Sequence, residues 1–247
     1  MEKELHAELF PNQTAVAWQR AVKTEEEYEV MVQAQRIAEK SFNDILGIIS
    51  TDITEKDLAA ELLYRMLKNG ADDSSFDSIV VSAENSSMPH GVPSDMKIKK
   101  GFLTIDFGVK YKGYCSDTTR TLCIGQPTEE MKKIYYTVLD AQKAGIAAAK
   151  AGVLGSDIDG AARKVIADAG YGDFFGHGFG HSLGVEIHEF PRASVAANVP
   201  IPAGVMISAE PGIYLPGKFG VRIEDVIYIT EDGNRDITEL DRELIVL

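Results

Sequence analysis

The chain has 247 residues, of which 45% are hydrophobic, and its formal net charge is −13. This length is enough for one large hydrophobic core or two small ones. The negative charge, together with the lack of a Lys- and Arg-rich run that could follow a phosphate backbone, argues against a nucleic-acid partner.

The sequence carries no recognisable membrane or secretion signal. Its first ten residues, MEKELHAELF, are charged throughout and lack an apolar signal core, and no stretch of about 18 uninterrupted apolar residues occurs. Cys115 and Cys123 are too few for a disulfide framework and lack the CxxC spacing of a metal site. We expect a cytoplasmic protein with reduced cysteines and without a membrane partner.

Helices and then strands are predicted in the first part of the chain. Thr24 and Glu27 form a capping-box pattern ahead of apolar residues at three- and four-residue spacing, which predicts a helix over residues 24–50. A second start signal predicts a helix from Thr54 to near Gly70. Apolar, β-branched stretches then predict strands around residues 79–83, 102–109 and 117–124.

The same order of elements is predicted again about a hundred residues later. A helix over residues 128–151 precedes a helix opened by Ser156 and Asp159, which ends near Gly170, and strands follow around 205–214 and 220–230. Such an echo indicates duplication. After a lead-in segment of residues 1–23, we expect one α+β domain of residues 24–247, with its site between halves of about 24–126 and 127–247.

The segment TIDFGVKYKGYCSD is predicted to be a hairpin that carries two carboxylates. A two-residue loop at Tyr111 and Lys112 would pair Asp106 with Asp117, although a longer or bulged turn would change that pairing. Like charges on cross-strand partners are destabilising, so a cation is expected between them. The alternative for an isolated pair of this kind is a solvated hairpin edge.

A second hairpin, AEPGIYLPGKFGVRIED, presents another pair. Glu210 and Glu224 lie symmetrically about the turn residues Pro216 to Lys218. Carboxylates in apolar strands are rarely buried unless they are paired or bind a cation, so two such pairs indicate a metal site.

Most of the histidines lie in one short segment of the chain. Three of the five histidines lie in HGFGHSLGVEIH, which begins at His177, and His90 lies in NSSMPHG. The glycines of the first segment exclude a stable helix and indicate a close approach of backbone to another group. A lone histidine is more often structural, whereas three in a Gly-rich segment of a His-poor chain favour function. Carboxylates and imidazoles suit a paired site for Mn, Co, Fe or Zn, which can activate water and polarise a carbonyl.

The order Asp, Asp, His, Glu, Glu, with the Asp residues eleven and the Glu residues fourteen positions apart, closely resembles the pita-bread metallopeptidase family. That family includes methionine aminopeptidases, Xaa-Pro aminopeptidases and Xaa-Pro dipeptidases, and the likeness runs from about residue 20 to the C-terminus. The resemblance implies two pseudo-symmetric α+β halves around a curved antiparallel sheet, and two divalent metal ions, with Mn expected first. It implies that Asp106 holds one metal, that His181 and Glu210 hold the other, and that Asp117 and Glu224 bridge them.

Several features resemble the proline-peptidase branch of this family: His177 four residues before His181, the stretch VEIHEFPR, and Arg222 in GVRIED. The resemblance implies that the substrate is a proline-containing peptide cleaved before the proline. It also implies that His90, His177, His188 and Arg222 line the substrate site, that His90 and His188 contact the substrate or the intermediate, and that Glu210 transfers the proton.

The sequence also leaves other functions open. A methionine or broader aminopeptidase would keep the same ligands, and a metal-free binding protein or a creatinase-like C–N hydrolase would be expected to lose some of them. Proline peptidases of the family usually carry a further N-terminal domain, and its absence here leaves open the preferred substrate length and the assembly, for which a homodimer is one option.

Overall fold

The structure is a computed structural model that describes residues 14–247, and the expectation for the first ten residues lies outside that range. The part of the lead-in segment that is described forms a short helix. The helices in chain order are α1 (Ala15–Ala21), α2 (Glu25–Ile45), α3 (Glu55–Lys68), α4 (Glu129–Ala148) and α5 (Gly155–Asp168), with short 3₁₀ turns at Leu46–Ile48, Ala83–Ser87 and Gly172–Phe174. In the described range, no helix is both long enough and apolar enough to cross a bilayer.

The strands pair in antiparallel sheets. In chain order they are β1 (Asp73–Ser74), β2 (Ile79–Ser82), β3 (Gly101–Phe107), β4 (Val109–Tyr111), β5 (Tyr114–Cys115), β6 (Thr118–Ile124), β7 (Gly180–Ser182), β8 (Glu189–Ala193), β9 (Met206–Ala209), β10 (Gly212–Leu215), β11 (Phe219–Arg222), β12 (Asp225–Ile229) and β13 (Asn234–Asp236). Their order is β2-β3-β6 in one sheet, β13-β12-β9-β7-β8 in a second, β10-β11 in a third and β1-β4-β5 in a fourth. Helices on antiparallel sheets make this an α+β architecture.

Two hydrophobic clusters lie under the two pairs of long helices. One packs α2 and α3 against β2, β3 and β6, and it includes the stacked rings of Phe42 and Phe107. The other packs α4 and α5 against β9 to β12. The sheets between the helix pairs carry the polar residues described below.

Three of the predicted helix starts are confirmed, and one is wrong. Thr128 caps α4, because its side chain accepts from the N–H of Met131. Thr24 and Thr54 cap α2 and α3, each within a complete capping box. The predicted start at Ser156 is wrong, because α5 begins at Gly155, without a side-chain cap. The first N–H groups of α5 instead donate to backbone carbonyls of a distant segment, Gly155 N to Val199 O and Ser156 N to Ala197 O. Tertiary contact therefore replaces the local cap.

The predicted register of the first hairpin is wrong. The turn residues are Lys112 and Gly113, with φ of 48° and 86°, as a type I′ turn requires. This turn lies one residue later than predicted, so Asp106 pairs with Thr119 and not with Asp117. Asp117 lies immediately before β6, so the two carboxylates are displaced diagonally along the hairpin.

The predicted register of the second hairpin is confirmed. Leu215 pairs with Phe219 and Gly212 pairs with Arg222, so the turn is centred on Gly217 as its symmetry predicted. Between β9 and β12, the pairing of Ala209 with Asp225 follows the same register. Glu210 and Glu224 lie between these two pairings.

Candidate metal centre and peptide cleft

One cavity of about 590 Å³ gathers every residue that the sequence suggested for the site. Its walls come from the ends of the two hairpins, from the Gly-rich segment and from the loop after β2. The predicted residues that line it are His90, Asp106, Asp117, His177, His181, His188, Glu210, Arg222 and Glu224. The cavity therefore joins parts of the chain more than a hundred positions apart.

The Gly-rich segment runs so close to the neighbouring backbone that side chains would not fit. A Cβ on Gly180 would lie 1.8 Å from the carbonyl oxygen of Ser208, and one on Gly178 would lie 2.9 Å from the carbonyl oxygen of Ala193. The predicted close approach is confirmed at these positions. It lets β7 carry His181 into the cavity, where the backbone N–H of His181 donates to Ser208 Oγ over 3.0 Å.

His181 presents a lone pair to two carboxylates. Its Nδ1 lies 3.1 Å from the carbonyl oxygen of Ser182, an acceptor, which assigns the proton to Nδ1. Its Nε2 then faces Glu210 Oε1 at 3.3 Å and Asp117 Oδ2 at 3.6 Å. Burial lowers the pKa of His181 to about 4, so the ring is neutral at pH 7 and these contacts are not ion pairs.

The carboxylates around this lone pair are buried close together. Ligand atoms of Asp117, His181 and Glu224 all lie within 4.8 Å of one another. Burial, and then the charges of the neighbouring carboxylates, raise the pKa of Asp117 and of Glu224 well above the ordinary range. Burial likewise raises the pKa of Glu210. The surrounding protein groups alone therefore do not stabilise a cluster in which every carboxyl group is ionised.

Asp106 completes the cluster with an oxygen that lacks a partner. Its Oδ2 accepts a hydrogen bond from Arg222 Nη2 at 2.7 Å. Its Oδ1 is buried and has no hydrogen-bond partner among the described residues. A convergent set of acceptor atoms, with one imidazole lone pair and one unpartnered carboxylate oxygen, is the donor set that binds divalent cations. The residues present fit a metal centre.

A chain of hydrogen bonds runs along one wall of the cavity. His177 Nδ1 lies 2.9 Å from the carbonyl oxygen of Gly178, which assigns the proton to Nδ1 and leaves Nε2 as an acceptor. The hydroxyl of Tyr214, 2.8 Å away, donates to that Nε2 and accepts from Arg222 Nη1 at 2.8 Å. Burial lowers the pKa of His177, which keeps the ring neutral.

The other two histidines of the cavity are exposed at its mouth. The ring of His188 packs edge-on against His181 with centroids 4.3 Å apart. Burial lowers the pKa of His188, and the nearby charge of Arg192 acts in the same direction. Both imidazoles line the same cavity as the carboxylate cluster.

Hydroxyl groups beside the ligands were not predicted from the sequence. Thr119 Oγ1 donates to Glu224 Oε2 at 2.6 Å, and Ser208 Oγ donates to Glu210 Oε1 at 3.0 Å. Thr119 follows Asp117 by two positions and Ser208 precedes Glu210 by two, so the period of a strand places each on the same side as its neighbouring ligand. That period was the available signal.

Gln142 supports both glutamate-bearing segments from behind. Its Nε2 donates to the carbonyl oxygens of Ala209 at 3.1 Å and Ile223 at 3.2 Å, the residues just before Glu210 and Glu224. Gln142 is fully buried on α4. Helix packing thus fixes the spacing of the two glutamates.

Comparison with known proteins identifies relatives along nearly the whole chain. A family model described as metallopeptidase family M24 matches residues 29–231. An uncharacterised peptidase of Bacillus subtilis strain 168 is 49% identical over 242 residues, covering 98% of this chain and 69% of that protein. An Xaa-Pro dipeptidase of Pyrococcus furiosus is 44% identical over 227 residues, covering 92% of this chain and 65% of that protein.

Solved structures with the same fold carry similar descriptions. An Xaa-Pro dipeptidase from Bacillus anthracis matches 100% of this chain and 70% of its own, at 43% identity and a TM-score of 0.96. An X-Pro aminopeptidase from Thermotoga maritima matches 96% of this chain and 67% of its own, at 43% identity and a TM-score of 0.93. The predicted α+β pita-bread fold is confirmed. The chain spans about two thirds of the length of these relatives.

Proposed function

The chain belongs to metallopeptidase family M24, and on that premise we propose that it uses divalent metal ions to hydrolyse the bond between an N-terminal residue and proline. The observation that carries this proposal is the convergence of the His181 Nε2 lone pair with oxygens of Asp117 and Glu210 in one buried cluster. The substrate class rests on similarity to relatives described as Xaa-Pro dipeptidases and an X-Pro aminopeptidase.

We take the ligand roles from the resemblance to the pita-bread family, and the positions of the side chains in the cluster support them. Asp106 would hold one metal ion, with its unpartnered Oδ1 as the ligand atom. His181 and Glu210 would hold the second ion, and Asp117 and Glu224 would serve both. The hydroxyls of Thr119 and Ser208 hold Glu224 and Glu210 in place by donating to one oxygen of each carboxylate.

When bound, a pair of divalent ions lowers the pKa of a water molecule and polarises the carbonyl of the scissile bond. As the oxygen of that water forms a bond to the carbonyl carbon, Glu210 takes the water's proton on a carboxylate oxygen, and it then passes the proton to the proline nitrogen as the C–N bond breaks. Its position at the end of the cluster, where its side chain is only partly buried, supports this transfer toward the cleft. Ser208 keeps the carboxylate oriented by its hydrogen bond to Oε1.

The remaining side chains bind and orient the substrate. His90 and His188, exposed at the mouth of the cavity, donate hydrogen bonds to the peptide or to its developing oxygen. The ring of His177 forms part of the cavity wall and offers no free hydrogen-bonding group, because both of its ring nitrogens already have partners. Arg222 holds Asp106 and Tyr214 and so fixes the wall on which the substrate rests.

The oxygen-rich ligand set favours Mn, with Co, Zn and Fe as alternatives. Peptidases of the same fold with methionine or broader specificity would keep this centre and differ in the cleft. A substrate panel separates them. We expect hydrolysis of an Xaa-Pro dipeptide or of an Xaa-Pro-Yaa tripeptide, and no comparable hydrolysis of Met-Ala or of an Xaa-Ala dipeptide.

The ratio of the two proline substrates distinguishes a dipeptidase from an aminopeptidase. Release of proline from the dipeptide alone indicates a dipeptidase, and release of the first residue from the tripeptide indicates an aminopeptidase. Faster cleavage of Met-Ala than of either proline peptide, with the same metal, contradicts the proposed specificity.

A further inference from the structure

The loop of residues 82–94 forms part of the cavity wall. It starts at Ser82, the last residue of β2, and ends at Ser94. Residues 89–93, in its second half, line the cavity and include His90. The loop contributes no residue to the buried carboxylate cluster, so its position affects the substrate side of the site.

A single buried carboxylate holds both ends of this loop. Glu55 Oε1 accepts hydrogen bonds from Ser82 N at 2.7 Å and from Ser82 Oγ at 3.0 Å. Glu55 Oε2 accepts from Ser94 N at 3.2 Å and from Ser94 Oγ at 2.7 Å. The side chain of Glu55 is 0% exposed and lines neither the cavity nor the metal cluster. Two points of one loop, twelve positions apart, are therefore joined through one side chain.

Glu55 is not needed to cap its own helix. It is the first residue of α3, where the side chain of Thr54 accepts from the N–H of Asp57, and the carboxylate of Asp57 accepts from the N–H of Thr54. That reciprocal pair satisfies the N–H groups of Thr54 and Asp57, and the N–H groups of Glu55 and Lys56 donate to the carbonyl oxygens of Met96 and Ser94. The side-chain partners of the Glu55 carboxylate are neutral donors of the loop, on Ser82, Asn85 and Ser94.

The loop is held in a conformation that an unconstrained chain would leave. Ala83, directly after Ser82, has a φ of 49°, in the left-handed region that residues other than glycine rarely adopt. Such conformations persist where the surroundings fix them. Two further contacts fix the loop from the other side of the cleft: Gly220 N donates to Ser86 Oγ at 2.9 Å, and Arg222 Nη1 donates to Pro89 O at 3.2 Å.

We infer that Glu55 is a positioning residue that sets the affinity of the cleft for peptide by fastening both ends of the loop of residues 82–94. Glu55 itself contacts no proposed metal ligand, and the loop is linked to the cluster through Arg222, which donates to Pro89 O and to Asp106. This inference rests on the proposed function for its kinetic consequence, whereas its consequence for the loop does not. Because the loop lines the cavity and carries no proposed metal ligand, loss of the fastening raises KM by a larger factor than it lowers kcat. The proposed contact of His90 with the developing oxygen accounts for the smaller loss of kcat.

Glu55→Gln tests this directly, because the amide keeps the shape and turns one acceptor into a donor that faces N–H and O–H groups. We expect KM for the preferred proline peptide to rise roughly tenfold, as loss of a charged hydrogen bond allows, with kcat within about threefold of wild type. Calorimetric affinity for Mn²⁺ stays unchanged. Amide hydrogen exchange speeds up roughly tenfold in residues 82–94 and nowhere else by a comparable factor.

The matched control is Asp57→Asn, which weakens the cap of the same helix at an exposed position two residues away. It lowers the melting temperature but leaves KM and the exchange of residues 82–94 unchanged. A Glu55→Gln protein that loses stability while its KM and loop exchange match wild type overturns the inference. If Glu55→Gln does not fold, Ser94→Ala replaces it, since this change removes one donor to Oε2 and keeps the backbone bond, and the same two readouts decide.

The two proposals fail in different ways. If wild type with added metal cleaves no proline peptide but Glu55→Gln still speeds exchange in residues 82–94, the proposed substrate is wrong and the fastening of the loop stands. If wild type cleaves proline peptides and neither variant changes KM or loop exchange, the proposed function stands and Glu55 is only a stabilising residue.

Discussion

Neutralising one carboxylate of the metal cluster is predicted to stabilise the metal-free protein. Glu224 is 2% exposed, and one of its oxygens lies within 4.8 Å of a carboxylate oxygen of Asp117. In Glu224→Gln the amide oxygen still accepts from Thr119 Oγ1, so the neighbouring hydrogen bond is kept. The substitution removes the charge and little else.

The magnitude follows from the distance. Two like charges within 4.8 Å of each other repel by roughly 3.5 kcal/mol or more at an effective dielectric constant of 20. Burial, and then the charges of Glu210 and Asp106, raise the pKa of Glu224, so wild type relieves part of the cost by keeping a proton. We therefore predict that Glu224→Gln increases the free energy of unfolding of the metal-free protein by about 1–3 kcal/mol at pH 7.5.

The sign of the pH dependence is fixed by the direction of the pKa shift. A carboxyl group whose pKa is higher in the folded state costs nothing below its unfolded pKa, and stability is lost as the pH rises through the folded pKa. The advantage of Glu224→Gln over wild type therefore shrinks as the pH falls toward about 4.3, the ordinary pKa of glutamate. It is largest above the raised pKa.

Saturating metal should reverse the order of stability. A cation bound only by the folded state adds about 2.7 kcal/mol at a hundred times its Kd, so the two proposed cations add about twice that, which exceeds the advantage of Glu224→Gln. Wild type gains this stabilisation, whereas Glu224→Gln has lost the ligand that we propose for both ions. Urea unfolding of both proteins, with chelator and with Mn²⁺, measures the two differences at pH 5 and pH 7.5.

The control is Glu189→Gln, at a buried glutamate outside the cavity that is paired with Lys23; although burial opposes it, the charge of Lys23 lowers the pKa of this carboxyl group. This change should not stabilise the metal-free protein and should not reduce stabilisation by Mn²⁺. A metal-free Glu224→Gln protein that is less stable than wild type at pH 7.5 would contradict the predicted repulsion between the buried carboxylates. A cation would then have no such repulsion to relieve.

Further substitutions test the residues that hold the site and the fold around it in place. Gly180→Ala would place a methyl group 1.8 Å from the Ser208 carbonyl oxygen, so we predict a loss of about 3 kcal/mol in unfolding free energy by calorimetry; an unchanged melting temperature contradicts this. Arg120→Met removes the partner of Asp225 Oδ1 in a buried ion pair, together with donors to the carbonyl oxygens of Glu224 and Leu240, and should cost about 3–5 kcal/mol in urea unfolding; a cost below 1 kcal/mol would be inconsistent with that burial. Thr119→Val removes the hydroxyl that orients Glu224 and should weaken Mn²⁺ binding about 10–100-fold in titration calorimetry while the fold persists; wild-type affinity would show that the hydroxyl is dispensable.

Local rules predicted the helices wherever the cap is local. The capping boxes at Thr24 and Thr54 are visible within four residues of sequence, and both form as predicted. The start of α5 was misplaced because its first N–H groups bind carbonyls at Ala197 and Val199, and no pattern near Ser156 encodes that contact. Helix boundaries that depend on distant backbone cannot be found from periodicity.

Hairpin registers show the same contrast. The turn at Gly217 lies between a proline and a lysine and is identified by symmetry, so its register was predicted. The first turn uses Lys112 in a left-handed conformation, which few lysines adopt, and the sequence favoured a turn one residue earlier. A shift of one residue in the turn moved the partner of Asp106 by two positions, from Asp117 to Thr119.

The site was predictable by residue type and less so by geometry. Carboxylates and histidines in apolar or Gly-rich segments have few structural explanations, and those named from the sequence all line one cavity. Thr119, Ser208 and Gln142 were missed, because neutral polar residues occur throughout strands and helices. Their contribution depends on contacts formed only in the folded chain.

The most direct test of the account is metal-dependent turnover. Proline release from an Xaa-Pro dipeptide, or release of the first residue from an Xaa-Pro-Yaa tripeptide, is followed after chelation and after adding back Mn, Co or Zn, for wild type and for Asp117→Ala and Glu224→Ala. We predict that chelation abolishes cleavage, that a divalent metal restores it, and that both variants stay folded and inactive with every metal. Undiminished cleavage by the chelated protein, or full activity of either variant, would contradict a metal centre held by these residues.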